Sequence, residues 1–373
     1  MKKTFVWAAL WLLCATGARA GEPLKIKFRS RALLDATVSG YGKDDVQGYY
    51  RLEDFRVGFK ATYKQYEMKA DIGLGGNKLA IKDLLLNYHF GHGVLSFGNA
   101  YDPYSMDMLI STADLRFHQS AGSVLAFTDS RKLGVTYHHS LPAWYWAAGL
   151  YTHNDINKIG EGQVNAMVST ARGVWRRQWE DGSLLHAGGA FSFRTKPVNT
   201  DTPPEGNVGN DGITSILPAP LMEATVDHLG TELKGVFELL YMRPRFMVQG
   251  EYFLNRFNRT RGEAYRPQGG YVQAGILLVG RGFEYDALYG IPGRPSTSRA
   301  VELVARFNYT DLNDVRAGIM GGRESDLSVG VNFYLNEYLG MKLNAGYVFV
   351  GDHCQSFYTE NLLLGQLRLQ YIF

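Results

Sequence analysis

Long apolar runs are missing from this 373-residue chain. Past the extreme N-terminus nothing approaches the roughly 18 consecutive apolar residues of a membrane-spanning helix, which excludes a bundle of such helices. Cysteine is scarce, with two residues in all, Cys14 and Cys354. Net charge is small as well: Lys and Arg total 39 against 36 Asp and Glu, a formal +3. No segment reads as an inter-domain linker, although the length alone would suit two or three soluble domains. What the chain does hold is 43 Gly, 23 Tyr and 20 Phe, with 45% apolar residues, too much greasy and aromatic content for a disordered chain.

The first twenty residues read as a secretory leader. Lys2 and Lys3 form a basic start, Phe5 to Thr16 an apolar stretch, and Ala18-Arg19-Ala20 a small-x-small cleavage pattern. Leu13 stands before Cys14 where a lipoprotein signal needs a small residue. Removing residues 1–20 removes Lys2, Lys3 and Arg19 and no acid, so the expected mature chain carries 36 bases against 36 acids. Binding of nucleic acid through overall charge then has no support. Cys354 alone remains, so an exported protein of this size would have no internal disulfide.

Period 2 dominates the remainder. Leu24, Ile26, Phe28, Leu34, Ala36 and Val38 alternate with Lys25, Lys27, Arg29, Arg31, Asp35 and Thr37. Phe55, Val57, Phe59 and Ala61 alternate with Asp54, Arg56 and Lys60, and Leu367, Leu369, Tyr371 and Phe373 with Gln366, Arg368 and Gln370. Such segments number sixteen, at about 24–40, 50–63, 66–74, 79–90, 93–100, 131–140, 143–153, 163–179, 183–195, 227–242, 245–257, 269–281, 299–311, 323–335, 340–351 and 361–373. Many are longer than the usual ~5–6 residues of soluble strands and suit a tilted bilayer crossing of roughly 9–11 residues. Short connections such as Lys64-Gln65, Gly91-His92 and Arg243-Pro244 alternate with long ones, Asn99–Ser130 above all. That is the asymmetry of outer-membrane barrels. One connection breaks the rhythm: 282–298 should be a short turn by parity, so either it tucks under the barrel or the strand count slips there.

Lipid forces closure, because every backbone N–H and C=O must pair inside the structure. The chain is therefore expected to be all-β, a single transmembrane antiparallel barrel over residues 21–373 with its greasy face on the bilayer. The charged face must line water, since a mid-membrane Arg or Lys costs roughly 2–4 kcal/mol. The inward positions supply 14 bases and 9 acids. The anion-steering candidates among them are Lys25, Lys27, Arg29, Arg31, Arg56, Lys60, Arg172, Arg176, Arg306 and Arg368. Cross-strand pairing of acids with bases is the plainer role for most of them; the first-strand group Lys25 to Arg31 has no equal acidic counterpart in its own strand. The loop 101–130, far beyond the usual ~4–6 residues of a connection, is the candidate constriction, with Tyr101, Asp102, Tyr104, Arg116 and the adjoining Arg131 as its chemical groups.

The chain resembles the phosphate-selective porin O and P family of Gram-negative outer-membrane channels. Arg31 and Asp35 in RALLDA match an Arg-x-x-x-Asp pattern of that family's first strand; FRVGFKATY, KADIG and KDLLLNY resemble its next strands; SFGNAYDPYSMDML, DSRKLGVTY, GGRESDLSVGVNFYLN and QLRLQYIF follow in the family's order. The resemblance implies a sixteen-stranded barrel, a homotrimer, a third loop folded into the pore, and a C-terminal Phe373 read by the barrel-assembly machinery. Glu53 and Asp54 stand where the family's phosphate channels carry a basic pair, so the channel is implied and phosphate selectivity is not. His89, His92, His138 and His139 lack the carboxylate or Cys partners of a metal site, and no Ser/His pair oriented by a third polar group suggests itself, so neither a cofactor nor an enzyme activity is expected. The reading is a porin passing small hydrophilic solutes with anion preference; the alternative is a plugged barrel serving as an interaction or accessory protein.

Overall fold

The structure is a computed structural model and describes residues 23–41, 45–75, 78–152, 154–158, 166–197, 204–216, 219–354 and 360–373. The leader expected at 1–20 lies outside the described residues.

Twenty strands occur among the described residues. They are β1 (Lys25–Tyr41), β2 (Asp45–Tyr63), β3 (Tyr66–Gly75), β4 (Lys78–Phe90), β5 (Gly93–Ala100), β6 (Lys132–Ser140), β7 (Trp144–Thr152), β8 (Met167–Gln178), β9 (Leu184–Arg194) and β10 (Gly206–Asn210). The rest are β11 (Met222–Val226), β12 (Leu229–Arg243), β13 (Phe246–Arg259), β14 (Gln268–Val279), β15 (Phe283–Asp286), β16 (Ile291–Pro295), β17 (Ala300–Asp314), β18 (Ile319–Tyr334), β19 (Leu339–Val350) and β20 (Leu362–Ile372). Two short helices, α1 (Met106–Leu109) and α2 (Gly122–Phe127), lie in the third loop.

Sixteen strands close one antiparallel barrel, in the order β1 to β9, β12 to β14, then β17 to β20, and β20 returns to β1. The closing seam sets Arg31 opposite Ile372 and Asp35 opposite Arg368. The sixteen expected segments are these sixteen strands. β2, β17 and β18 run several residues further than their alternation marked, because above the lipid both faces of a strand meet water and period 2 fades. β10–β11 and β15–β16 form separate two-stranded hairpins. The second resolves the anomaly at 282–298: the count holds, and the connection is a hairpin entered through the left-handed Gly280 and Gly282.

The molecule is inside out relative to a soluble protein. Phe28 is 72% exposed and Phe237 67%, and a band of Leu, Val, Ile and Phe covers the outer wall. Charged and amide side chains fill the interior, Asp35, Glu251, Arg306 and Lys342 among them. An exposed apolar surface of this extent needs an apolar solvent. Near the end where β1 starts and β20 finishes, Tyr66, Tyr88, Phe90, Tyr137 and Trp146 run in contact around the outside, with ring centroids 5.1 to 5.6 Å apart. Aromatic girdles mark the membrane–water boundary of barrels, and the short turns beside this one mark the periplasmic end.

Candidate functional site

The third loop, 101–131, folds against the inner wall and takes its bonds from there. Glu251 on β13 accepts the amides of Met106 (2.8 Å) and Asp107 (3.0 Å) and the hydroxyl of Tyr271 (3.0 Å), while Ser105 Oγ caps α1. A carboxylate at a helix start satisfies orphan N–H groups and faces the positive end of the peptide dipoles. Further along, Arg116 pairs with Glu302 at 3.1 Å, with side chains 1% and 0% exposed. Lys342 donates to the carbonyls of Ala113 and Leu115, Arg368 to that of Thr112, and Arg306 to that of Gln119. Asp129 closes the loop between Lys234 (2.7 Å) and Lys132 (3.0 Å). Burial would raise its carboxyl, but the two ammonium groups hold it well below the usual carboxylate range. Asp107, buried near Glu251, is pushed up by burial, and His118 is pushed down to about 3, first by burial and then by Arg368.

Two further segments enter the lumen. The β15–β16 hairpin comes from the periplasmic end: Arg172 donates to the carbonyls of Tyr289 and Gly290, both at 2.7 Å, and Arg176 to that of Ala287 at 2.7 Å. Tyr285 and His186 Nδ1 share a 2.9 Å hydrogen bond. From the opposite end, the β10–β11 hairpin sets Asn210 against Glu324, accepts Gln119 on Gly212, and meets Arg51 at Ser215. Its Val208, Leu221, Met222 and Ala224 join Tyr104, Val124 and Phe127 of the third loop in one apolar cluster.

Arg172, Arg176, Arg306 and Arg368 thus point inward but hold loops, hairpin and carboxylates; Arg368 lies on Asp35 at 2.6 Å. The first-strand group differs. Lys25 and Lys27 are exposed near the periplasmic rim. Arg29 reaches Asp71 on β3 at 2.8 Å and Arg31 reaches Asp54 on β2 at 2.5 Å, so acids of the next two strands do meet the two arginines. Arg56 shares Asp54 at 3.2 Å, and Lys60 pairs with Glu67 at 2.6 Å. Lys69 and Arg131 both take Asp83 at 2.6 Å, with the Arg131 guanidinium 4.3 Å over the Tyr101 ring. A cavity of about 360 Å³ separates this wall from loop residues 108–115. Of the loop candidates, Tyr101 and Arg131 line that cavity; Asp102, Tyr104 and Arg116 are buried behind it.

Two cations near this space escaped sequence reasoning. Lys82 and Asp83 together oppose the single Asp71, a bulge between Ala70 and Ile72, so Lys82 lies over Gly73 on the inner side. A bulge places an extra residue out of alternation, so strict period 2 would set Lys82 on the face opposite to Asp83. Arg294 arrives from the β15–β16 hairpin, where the broken turn rhythm was the only signal.

A family model described as "Phosphate-selective porin O and P" matches residues 21–373. An uncharacterized protein of Caulobacter vibrioides is 24% identical over 301 residues, 75% of this chain; the match spans 58% of that relative's length. Among solved structures, OmpF of Salmonella typhi in complex with daunomycin superposes with a TM-score of 0.61 at 10% identity, over 94% of this chain and 98% of its own. An anion-selective porin from Comamonas acidovorans gives 0.60 at 9% identity, over 94% and 100%. The trimer form of in-vitro folded OmpT of Vibrio cholerae gives 0.59 at 10% identity, over 94% and 100%. At these identities the structures speak to fold alone, while the family match spans nearly the whole sequence. The chain belongs to the phosphate-selective porin O and P family, a family of outer-membrane porins.

Proposed function

We propose that the chain forms a water-filled channel for passive diffusion of small hydrophilic solutes, with a preference for anions. The supporting observation is the lining of the cavity beside the third loop. Arg29, Arg31, Arg56, Lys69, Arg131 and Arg294 are six bases against three acids, Asp71, Asp83 and Asp114. A positive excess within low-dielectric walls raises the local concentration of anions. Arg29, Arg31, Arg56 and Lys60 are the steering residues in this reading, with Lys25 and Lys27 biasing the periplasmic mouth. Arg172, Arg176, Arg306 and Arg368 anchor the inserted segments. Asp54, accepting both Arg31 and Arg56, offsets part of the field just where the family's phosphate channels are basic, so a general anion preference fits better than phosphate selectivity.

The rest of the reading follows the family: a leader cleaved after about Ala20, insertion through recognition of Phe373, a homotrimer in the bilayer, and no enzyme activity or cofactor. The solved OmpT trimer shares the fold. Purified protein in planar bilayers tests the function. Stepwise conductance with an anion-selective reversal potential in a salt gradient is expected; cation preference overturns it. The apolar cluster formed by the inserted loops favours one second reading, a sealed barrel acting as an accessory protein. A folded protein that gives no current and retains a stoichiometric partner through purification would establish that reading instead.

A further inference from the structure

We propose that Arg294, carried on the periplasmic β15–β16 hairpin, is a specificity-determining residue of the passage, and that Asp114 on the third loop sets its strength. The proposal rests on the anion-channel reading above.

The hairpin and the loop exchange arms. Arg116 of the loop donates to the carbonyl of Gly293 at 3.1 Å, and Arg294 of the hairpin reaches back to the Asp114 carboxylate. The two arms end differently. Arg116 is 1% exposed and already bound to Glu302. Arg294 and Asp114 are 22% and 28% exposed, and both line the cavity. Four of the six lining bases sit on wall strands and Arg131 adjoins one at the end of the third loop; Arg294 is the sixth, and it alone comes from the periplasmic hairpin. Ile372 and Phe373 border the same space, and the backbone carbonyl of Glu337 accepts from the Arg294 guanidinium at 3.5 Å, so Arg294 stands at the periplasmic exit.

The hairpin itself is fixed, which a specificity residue requires. Arg172, buried against Glu238, holds two of its carbonyls, and Arg176 and Ser140 both donate to Ala287 O. Held in this way, a guanidinium that keeps about a fifth of its surface open presents its remaining donors to anything leaving the cavity. An anion meets charge-assisted donors there; a cation meets the Asp114 carboxylate, already engaged.

The ion pair makes the proposal testable by sign. Bilayer reversal potentials are measured in a chloride gradient for wild type, Arg294→Gln, Asp114→Asn, Arg294→Lys and, as a wall reference, Arg31→Gln. Removing the arginine is expected to lower the anion-to-cation permeability ratio about fourfold, since one charge seen across about 10 Å of water is worth about twofold for the anion and about twofold in the opposite sense for the cation. Removing the aspartate is expected to raise the ratio by a similar factor, and Arg294→Lys to keep it near wild type. Both neutral variants break the same clasp, so a merely structural clasp shifts both ratios in one direction, and that result overturns the proposal. So does an unchanged ratio in Arg294→Gln when Arg31→Gln lowers it, a result that leaves the anion-channel reading standing. A wild-type channel without anion preference removes that reading first and the proposal with it.

Discussion

Arg172 and Arg29 make nearly the same bond in two different media. Arg172 lies 3.0 Å from Glu238 with both side chains 0% exposed; Arg29 lies 2.8 Å from Asp71 with its own side chain 40% exposed. The first belongs to the filled part of the lumen, where the third loop and two hairpins cover the wall. The second belongs to the open part, where β1 to β4 face the cavity. Alternation alone placed both arginines inward, and what stands opposite decides their work. Without water, a charge must be met by carbonyls and carboxylates or the fold fails. Beside water, a pair is worth only about 0–1 kcal/mol, and its field remains available to passing ions.

The sharpest way to break this contrast is to remove a carboxylate from the filled part. Glu302 accepts from Arg116 at 3.1 Å and from Tyr334 at 3.0 Å. Glu302→Ala strands a buried guanidinium, at a cost of about 3–5 kcal/mol. The middle of the third loop is expected to undock, single-channel conductance to rise severalfold, and trypsin to cleave at Arg116 in folded protein where wild type resists. A variant with wild-type conductance and protease resistance would show that the loop is held by apolar packing and that its buried ion pairs are incidental.

A milder perturbation uses acid. His118 in the same loop is buried and held down to about 3, below the ordinary value near 6.5. Arg368, Lys342 and Asp35 are the charged groups around it. Because the folded value is depressed, the undocked loop binds the proton more readily between these two limits. Docking therefore weakens as pH falls from about 6.5 toward 3, by at most about tenfold per unit. Asp129 behaves differently: its carboxylate, held below the usual range, gives its full contribution above the ordinary carboxylate value and loses it as pH falls from there through the lower folded value. Across pH 6 to 4 the imidazole is thus expected to supply an acid-dependent loosening that the Asp129 closure does not add to. Open-channel noise should grow as pH falls over that range, and His118→Leu should remove this component. Noise that grows identically in the variant would place the sensitive group elsewhere.

How much of this was legible beforehand follows the same contrast. Phe28, Val57 and Leu369 had to face lipid and Arg31 and Asp54 had to face inward, because a closed sheet in a bilayer has two solvents and period 2 reports both. The third loop announced itself by length. Hidden from the pattern were the partners. Periodicity says which face Arg172 occupies and nothing of the Tyr289 and Gly290 carbonyls more than a hundred residues away. The hairpins at β10–β11 and β15–β16 are short, lack the outer-face signal and read as irregular sequence; only the misplaced length of 282–298 pointed at one. Lys82 was lost to a bulge, which no alternation marks.

The smallest expected effect tests the open part from its own side. Arg29→Gln removes one cavity-lining charge and leaves Asp71 within 3.8 Å of the Lys69 ammonium, so the acid keeps a partner. With the arginine 40% exposed, the pair contributes at most about 1 kcal/mol, and thermal unfolding in detergent should hardly move. Selectivity should move: the lining changes from six bases against three acids to five against three, and the anion-to-cation ratio is expected to fall by less than about twofold at low salt. The loss should vanish toward 1 M salt, where the screening length shrinks to about 3 Å. A salt-independent loss would mean that the variant has altered the width of the passage, whereas a screened one assigns Arg29 to the field, as its half-wet position beside the cavity requires.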